Sequence, residues 1–137
     1  MGDSTGYKEI ILDSTFEEVD RLEDYLNELQ EWADFSDEDY ARIMLTLSEA
    51  ATNAIVHGNK ENPNKKVTIR CKLVDRKLVI SVKDEGAGFD PSNIPDPLKE
   101  ENLLNVGGRG VYLIKEYADE LRFEENGTKL IMAFKLD

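Results

Sequence analysis

The sequence contains few of the residues that form covalent or metal cross-links. Its 137 residues include one cysteine, Cys71, and one histidine, His57. A single cysteine excludes an internal disulfide framework, and its place in an alternating apolar segment predicts a small core residue on a strand. The chain also lacks a long apolar run and a signal-peptide pattern, which predicts a protein of the reducing cytoplasm.

Positive charge is also scarce. Lys and Arg number 17 against 29 Asp and Glu, which gives a formal net charge of -12. A surface this acidic repels duplex DNA and anionic membranes, so we expect no direct nucleic-acid binding and no membrane binding. Phosphate ligands are still allowed, because backbone amides, helix N-termini and bound cations hold phosphates inside acidic proteins.

The amino-terminal half alternates between strand and helix patterns. We predict a strand at Tyr7–Leu12 and a helix over Thr15–Ala33, where apolar residues recur at helical spacing. Ser36 opens an SDED capping box for a second helix. That helix is predicted to stop near Gly58, since glycine commonly follows a helix end.

The carboxy-terminal half contains two hairpin patterns, separated by an irregular segment and a helix. The first hairpin joins Val67–Val74 to Lys77–Val82. The helix lies in VYLIKEYADEL, and Asn126-Gly127 supplies a two-residue turn for the closing hairpin. The element order predicts one α+β domain over residues 1–137, a two-layer sandwich with a mixed, mostly antiparallel sheet and helices on one face.

A polar pair interrupts the apolar pattern of the second helix, in the stretch LSEAATNAIVHG. Glu49 and Asn53 are four residues apart, so their side chains face the same way on a helix. Asn53 offers a neutral oxygen suited to Mg²⁺, and Glu49 a carboxylate able to accept a proton from an attacking hydroxyl. The alternative is a solvated helix edge. His57 directly precedes Gly58 at the predicted helix end, where a positive charge interacts favourably with the helix dipole, and this role fits it better than a catalytic one.

Two glycine-containing segments flank the irregular region. Asp84 ends a predicted strand and precedes Gly86 and Gly88, which allow a flat ligand to approach the backbone closely. The GGRG segment at residues 107–110 precedes an apolar helix, where exposed amide N–H groups form a phosphate site. Alone, the first segment also fits a solvated turn and the second a flexible hinge. Neither has the Walker or Rossmann spacing.

Taken in order, helical E-x-x-x-N, D-x-G-x-G after a strand and G-x-G before a helix resemble the GHKL ATPase superfamily with its Bergerat fold. The segments LTLSEAATNAIVHG and DELRFEENGTKLIMAFKL are most similar to the anti-sigma factor serine/threonine-protein kinases. The resemblance spans roughly Tyr7 to Leu136. The matching residues are Glu49, Asn53, Asp84, Gly86, Gly88, Gly108 and Gly110.

The resemblance implies a role for each matching residue. Glu49 would be the general base for a serine hydroxyl, Asn53 would bind Mg²⁺ on the ATP phosphates, and Asp84 would accept the adenine amino group. Residues 92–106 would form the lid over the phosphates. The other implied contacts are Gly86 and Gly88 under the adenine, Gly108 and Gly110 at the phosphates, Arg109 toward the γ-phosphate or solvent, and Thr128 near the adenine end.

The lid sequence departs from that of some relatives. It carries Pro95, Pro97 and an acidic KEEN where those relatives have threonine and serine. This leaves the lid contacts open but not nucleotide binding. Since a phosphoacceptor histidine domain is also lacking, we do not expect a complete histidine kinase.

The leading interpretation of the resemblance is an ATP-dependent anti-sigma factor that works by partner switching. It would phosphorylate a serine on an anti-anti-sigma protein and sequester a sigma factor, as a homodimer that uses its first helix. The alternatives are an ATP-binding module that sequesters a partner without kinase activity, a nucleotide-free interaction domain, and a detached ATPase domain of another GHKL branch. Glu49 favours the enzyme, because a pure binder needs no base.

Overall fold

The computed structural model describes residues 6–87 and 114–136. In these ranges five strands form one antiparallel sheet, with the spatial order β1-β2-β3-β5-β4. The predicted α+β sandwich is confirmed. The strands are β1 (Tyr7–Asp13), β2 (Lys66–Val74), β3 (Lys77–Lys83), β4 (Glu120–Glu124) and β5 (Lys129–Lys135).

The helices of the amino-terminal half follow β1. A 3₁₀ turn at Phe16–Arg21 leads into α1 (Leu22–Ala33), so the single predicted helix has a tighter first part, as helix N-termini often do. Helix α2 runs over Asp37–Asn53. The predicted cap at its start is confirmed, because Oγ of Ser36 accepts the Asp39 N–H at 3.0 Å.

Helix α2 continues into a π-helical turn at Ala54–Gly58. The N–H of Asn59 bonds to the carbonyl of Ala54 at 2.8 Å, five residues back instead of four. Single π turns of this kind commonly lie at functional sites. This π turn lies beside the carboxy-terminal end of β3, the central strand of the sheet.

The core lies between the helices and one face of the sheet. Alternation along β2 and β3 buries every second side chain, as predicted. Cys71 lies in this core, and burial raises the pKa of its thiol, so the cysteine is a packing residue. Fully buried core side chains include Leu12, Leu22, Leu26, Leu29, Ile43, Leu47, Ile69, Leu78, Ile80 and Phe134.

The carboxy-terminal elements differ in two details from the sequence prediction. The helical residues end at 117, because the Asp119 N–H bonds to the Ala133 carbonyl and Leu121 pairs with Met132 in the sheet. The predicted Asn126-Gly127 turn is present, because both residues have positive φ, 59° and 85°, and the Thr128 N–H donates to the Glu125 carbonyl at 3.2 Å. The strand ladder stops one pair before this turn, at Glu124 opposite Lys129, and Glu125 has a φ of 52°.

Within the described ranges no helix combines the length and apolar character needed to cross a lipid bilayer.

Candidate active site

The end of α2 meets the loop that follows β3. Asp84 comes directly after β3 and is 9% exposed. Its N–H donates to the carbonyl of Thr128 at 2.9 Å, and its Oδ1 accepts the Gly86 N–H at 2.8 Å. Its other oxygen, Oδ2, lies against Gly58, since a Cβ built on that glycine would be 2.4 Å away. Asp84 is therefore held by the β4–β5 loop, by its own loop and by the π turn that follows α2.

Gly58 has a different role from the predicted one. A glycine at a helix end usually supplies a left-handed φ, but here Lys60 and Glu61 take that conformation, with φ of 54° and 57°. Gly58 belongs to the π turn. The glycine is needed because any side chain would occupy the space of the Asp84 carboxylate.

Gly86 is also needed for a close approach of two backbones. A Cβ on Gly86 would lie 2.0 Å from the carbonyl oxygen of Gly58. Real Cβ atoms do not come this close to a backbone oxygen, and neither segment has a flexible side chain that could yield. Because Gly58 and Gly86 have no side chains, the π turn after α2 can pack directly against the loop after β3.

The environment of Asp84 perturbs its ionisation. Burial raises the pKa of the carboxyl, while the Gly86 N–H and the charges of Lys83 and Lys65 act in the opposite direction. Burial dominates, so the pKa lies above its usual value. A perturbed carboxyl beside a glycine-rich loop is typical of a functional site.

Glu49 and Asn53 lie one turn apart on α2, as predicted, and both side chains are partly buried. Neither side chain makes a hydrogen bond within the part of the chain that the structure describes. By contrast, the hydroxyl of Thr46 bonds to the Arg42 carbonyl at 3.0 Å, and that of Ser48 contacts the Met44 sulfur at 3.5 Å. Among the described residues, the carboxylate and the carboxamide therefore make no structural hydrogen bond of the kind that these two neighbours make.

Thr128 contacts Asp84, since its backbone carbonyl accepts the Asp84 N–H. Its Oγ1 donates to the Glu125 carbonyl at 2.7 Å and accepts from Nζ of Lys83 at 2.6 Å. The hydroxyl therefore holds the β4–β5 loop together. His57 is exposed.

Several predicted site residues lie outside the described ranges. They are Gly88, Gly108, Arg109, Gly110 and the proposed lid, residues 92–106.

One further polar residue at this site, Asn59, was not predicted from the sequence. Asn59 is 1% exposed, and its Oδ1 accepts the Glu85 N–H at 2.7 Å. Its Nδ2 donates to Oγ of Ser14 at 2.9 Å and to the Lys66 carbonyl at 3.0 Å. An asparagine at the start of a polar loop normally indicates a solvated turn, so periodicity does not reveal its burial.

Known proteins share this sequence pattern. The family profile described as histidine kinase-like ATPase domain matches residues 12–134. An anti-sigma F factor of Clostridium novyi (strain NT) is 34% identical over 104 residues, which cover 72% of this chain and 73% of that protein. The serine-protein kinase RsbW of Bacillus subtilis (strain 168) is 34% identical over 96 residues, which cover 61% of this chain and 56% of that kinase.

A solved structure shares the fold. It contains the RsbU and RsbW domains of a Mycobacterium tuberculosis protein and matches with a TM-score of 0.65 at 18% identity. The match covers 95% of this chain but 32% of the longer one. At this identity the likeness concerns the fold alone. The family profile and the sequence relatives together confirm the resemblance, and the chain belongs to the histidine kinase-like ATPase domain family, alongside anti-sigma F factors and RsbW serine-protein kinases.

Proposed function

We propose that this protein is an ATP-dependent serine/threonine-protein kinase and anti-sigma factor. It phosphorylates a serine of an anti-anti-sigma protein and, in its other role, sequesters a sigma factor. The observation that carries this proposal is the contact between Gly58 and Asp84, because it joins the helix that bears Glu49 and Asn53 to the carboxylate assigned to the adenine. The names of the relatives support the choice of partners.

The spacing along α2 suits a nucleoside triphosphate. Glu49 precedes Gly58 by nine residues, which is roughly 13 Å along a helix axis at 1.5 Å per residue. This length is comparable with the extension of ATP from its base to its terminal phosphate. With the adenine amino group on Asp84, the phosphates would extend along α2 toward Asn53 and Glu49.

The proposed chemistry is phosphoryl transfer to a serine hydroxyl. Glu49 accepts the hydroxyl proton while the serine oxygen forms a bond to the γ-phosphorus. The bond between that phosphorus and the β–γ bridging oxygen breaks, and ADP leaves with the electron pair. Because Glu49 has no internal hydrogen bond in the described ranges, its carboxylate is ready for this proton.

Asn53 fits the magnesium ion that such a reaction uses. Its carboxamide is partly buried, makes no hydrogen bond to the described residues and supplies one neutral oxygen, while phosphate and water would fill the other positions. When bound, the ion neutralises charge on the phosphates.

We propose that residues 1–137 form one domain, and we place the protein in the cytoplasm. Its charge of -12 supports the absence of direct nucleic-acid and membrane contacts. A homodimer that uses α1 stays a prediction, and light scattering during size-exclusion chromatography measures it.

The test combines nucleotide binding with phosphate transfer. Calorimetry with ATP and magnesium, and transfer from γ-labelled ATP to the anti-anti-sigma protein of the same organism, are measured on wild type, Glu49→Gln and Asn53→Ala. We expect Glu49→Gln to bind ATP within about threefold of wild type but to transfer phosphate about 100-fold more slowly, the usual scale for a general base. Asn53→Ala should lose the magnesium-dependent part of its affinity.

Ser48→Ala is the matched control, because Ser48 lies beside Glu49 and its hydroxyl, among the described residues, bonds to the Met44 sulfur alone. It should match wild type in both assays. A wild type that binds no ATP overturns the proposal. A wild type that binds ATP and the sigma factor but transfers no phosphate supports the alternative, an ATP-binding module that sequesters its partner.

A further inference from the structure

A buried polar network lies just beyond the proposed catalytic helix. It consists of Ser14, which is 0% exposed, Asn59, which is 1% exposed, and the backbone N–H of Glu85. Asn59 and Glu85 are separated by 26 positions in the sequence, so their contact is made by the fold. The network joins the end of β1, the turn after α2 and the loop that carries Asp84.

The hydrogen bonds fix the orientation of the Asn59 amide. Oγ of Ser14 donates its single proton to the Lys65 carbonyl at 2.6 Å, so toward Asn59 it acts as an acceptor. The second amide proton goes to the Lys66 carbonyl. Oδ1 is then directed at the Glu85 N–H. If the amide were flipped, Nδ2 would face the Glu85 N–H, two donors together, and Oδ1 would face the Lys66 carbonyl, two acceptors together.

The Glu85 N–H is the middle one of three successive amides in the loop. Asp84 donates to the Thr128 carbonyl, Glu85 to Asn59, and Gly86 back to Asp84. These acceptors come from three different parts of the fold. Of the three bonds, only the one that the Glu85 N–H donates to Asn59 connects the loop to the segment that follows α2.

We infer that Asn59 is a positioning residue for base recognition, which holds Asp84 at the end of α2 and thereby sets the preference for adenine over guanine nucleotides. The inference rests on the proposed function, in which Asp84 accepts the adenine amino group. Guanine presents a carbonyl oxygen at the corresponding ring position, and a carboxylate repels it. Selectivity therefore depends on where the carboxylate is held, and a loop released from Asn59 loses that placement.

The inference separates base recognition from the transfer step. Glu49 and Asn53 precede the network on α2, and the hydrogen bonds of Asn59 do not involve them. Loss of Asn59 should therefore raise the Kd for ATP and leave kcat at saturating ATP nearly unchanged. A loss of structure alone would lower binding of both nucleotides together.

The test measures the Kd values for ATP and GTP, in competition with a fluorescent ATP analogue and with magnesium present, at a temperature at which circular dichroism shows each variant folded. We expect Asn59→Ala to weaken ATP binding about tenfold and GTP binding less than about threefold, the scale of the one hydrogen bond that holds the Glu85 N–H. At saturating ATP, the kcat of Asn59→Ala should stay within about threefold of the wild-type kcat.

Gln30→Ala is the matched control. Gln30 also uses its amide in two hydrogen bonds, to the Phe35 carbonyl at 3.1 Å and to Asp37 at 3.0 Å, but these hold the connection between α1 and α2. It should lower the melting temperature and leave the ATP-to-GTP ratio unchanged. If Asn59→Ala does not fold, Ser14→Ala replaces it, with a smaller loss of selectivity in the same direction.

If the ratio of the Kd for GTP to the Kd for ATP is the same in the folded Asn59→Ala variant as in wild type, the inference is overturned, whether or not both affinities have fallen. Asp84→Asn keeps this result distinct from a failure of the proposed function. If wild type binds ATP and Asp84→Asn does not, the site stands and only the role of Asn59 is rejected. If wild type binds no ATP, the proposed function and the inference are both rejected.

Discussion

Gly58 lies so close to Asp84 that a Cβ on the glycine would be 2.4 Å from Oδ2 of the carboxylate. The contact joins the end of the helix that carries Glu49 and Asn53 to the loop after β3. Since Gly86 packs against the carbonyl of Gly58 in the same place, the junction consists mainly of backbone atoms. A junction of this kind tolerates very little added volume.

Gly58→Ala should therefore damage both stability and binding. We expect a loss of about 1–3 kcal/mol in the free energy of unfolding, the usual scale for overpacking, and an ATP affinity at least tenfold weaker, since Asp84 must move. Urea denaturation and calorimetry measure the two effects. The double variant Gly58→Ala/Asp84→Ala removes the two closest contacts and leaves the Asp84 Cβ at 3.0 Å, so it should recover part of the stability but none of the affinity. Additive losses in the double variant would contradict this explanation.

The raised pKa of Asp84 makes stability depend on pH in a defined direction. The folded protein holds the carboxyl proton more tightly than the unfolded chain does, so stability falls as pH rises from the usual carboxyl range through the raised pKa. Asp84→Asn removes this titration and keeps an oxygen for the Gly86 N–H. We expect the variant to be more stable than wild type at pH 7, and the difference to shrink toward acidic pH.

Urea denaturation of both proteins between pH 3 and 7 measures that difference. The same variant should lose ATP affinity, because a carboxamide is a weaker acceptor for the adenine amino group. A difference that grows toward acidic pH would show that burial does not govern this carboxyl.

Arg42 connects α2 to the far end of the sheet. Its guanidinium donates to Oδ1 of Asp39 at 2.9 Å, to the Tyr117 carbonyl at 2.9 Å and to the Lys135 carbonyl at 2.7 Å. Asp39 is 4% exposed, and its Oδ2 has no hydrogen-bond partner within residues 6–87 and 114–136. We expect Arg42→Ala to lower the free energy of unfolding by about 2–4 kcal/mol, because it leaves a buried carboxylate without a counter-charge.

The control for this change is Arg70→Ala, which removes an exposed guanidinium paired with Glu9 on the open face of the sheet. Exposed pairs contribute little, so its denaturation midpoint should hardly move. Similar midpoints for the two arginine variants would show that the Arg42 hydrogen bonds do not stabilise the fold.

The cap of α2 gives a local stability prediction. Oγ of Ser36 accepts the Asp39 N–H, so Ser36→Ala should cost about 1 kcal/mol. Ser36→Asp restores an acceptor at the same place and should recover most of the loss. Thermal unfolding followed by circular dichroism compares the three proteins, and a Ser36→Asp variant as unstable as Ser36→Ala would rule out the cap.

Much of the fold follows from local patterns. Alternation in β2 and β3 predicted the buried residues, and the two-residue turn at Asp75-Arg76 set their pairing, with Val74 opposite Lys77. The Asn126-Gly127 turn of the closing hairpin also follows from its sequence, since the Thr128 N–H donates to the Glu125 carbonyl across it. The bond from the Thr128 hydroxyl to the same carbonyl was not predicted, and neither was the early end of the strand ladder.

The site was predictable only where neighbours in sequence form it. Asp84 and Gly86 lie in one loop, and Glu49 and Asn53 lie in one helix, so spacing predicted them. The contact of Gly58 with Asp84, and the burial of Asn59, depend on how the end of α2 meets the end of β3. Periodicity contains no information about such a meeting, so both were missed.

The π-helical turn at Ala54–Gly58 sets the orientation of the residues that follow it. A π turn accommodates one residue more than the α-helix it interrupts. If the same residues relaxed into a regular α-helix, Gly58 and Asn59 would each rotate by about 100°, the angle per residue. Both residues would then turn away from Asp84 and Glu85. A chain with one residue fewer between Ala54 and Asn59 would keep their orientation with a regular α turn, because Asn59 would then be four residues from the Ala54 carbonyl that it now reaches from five.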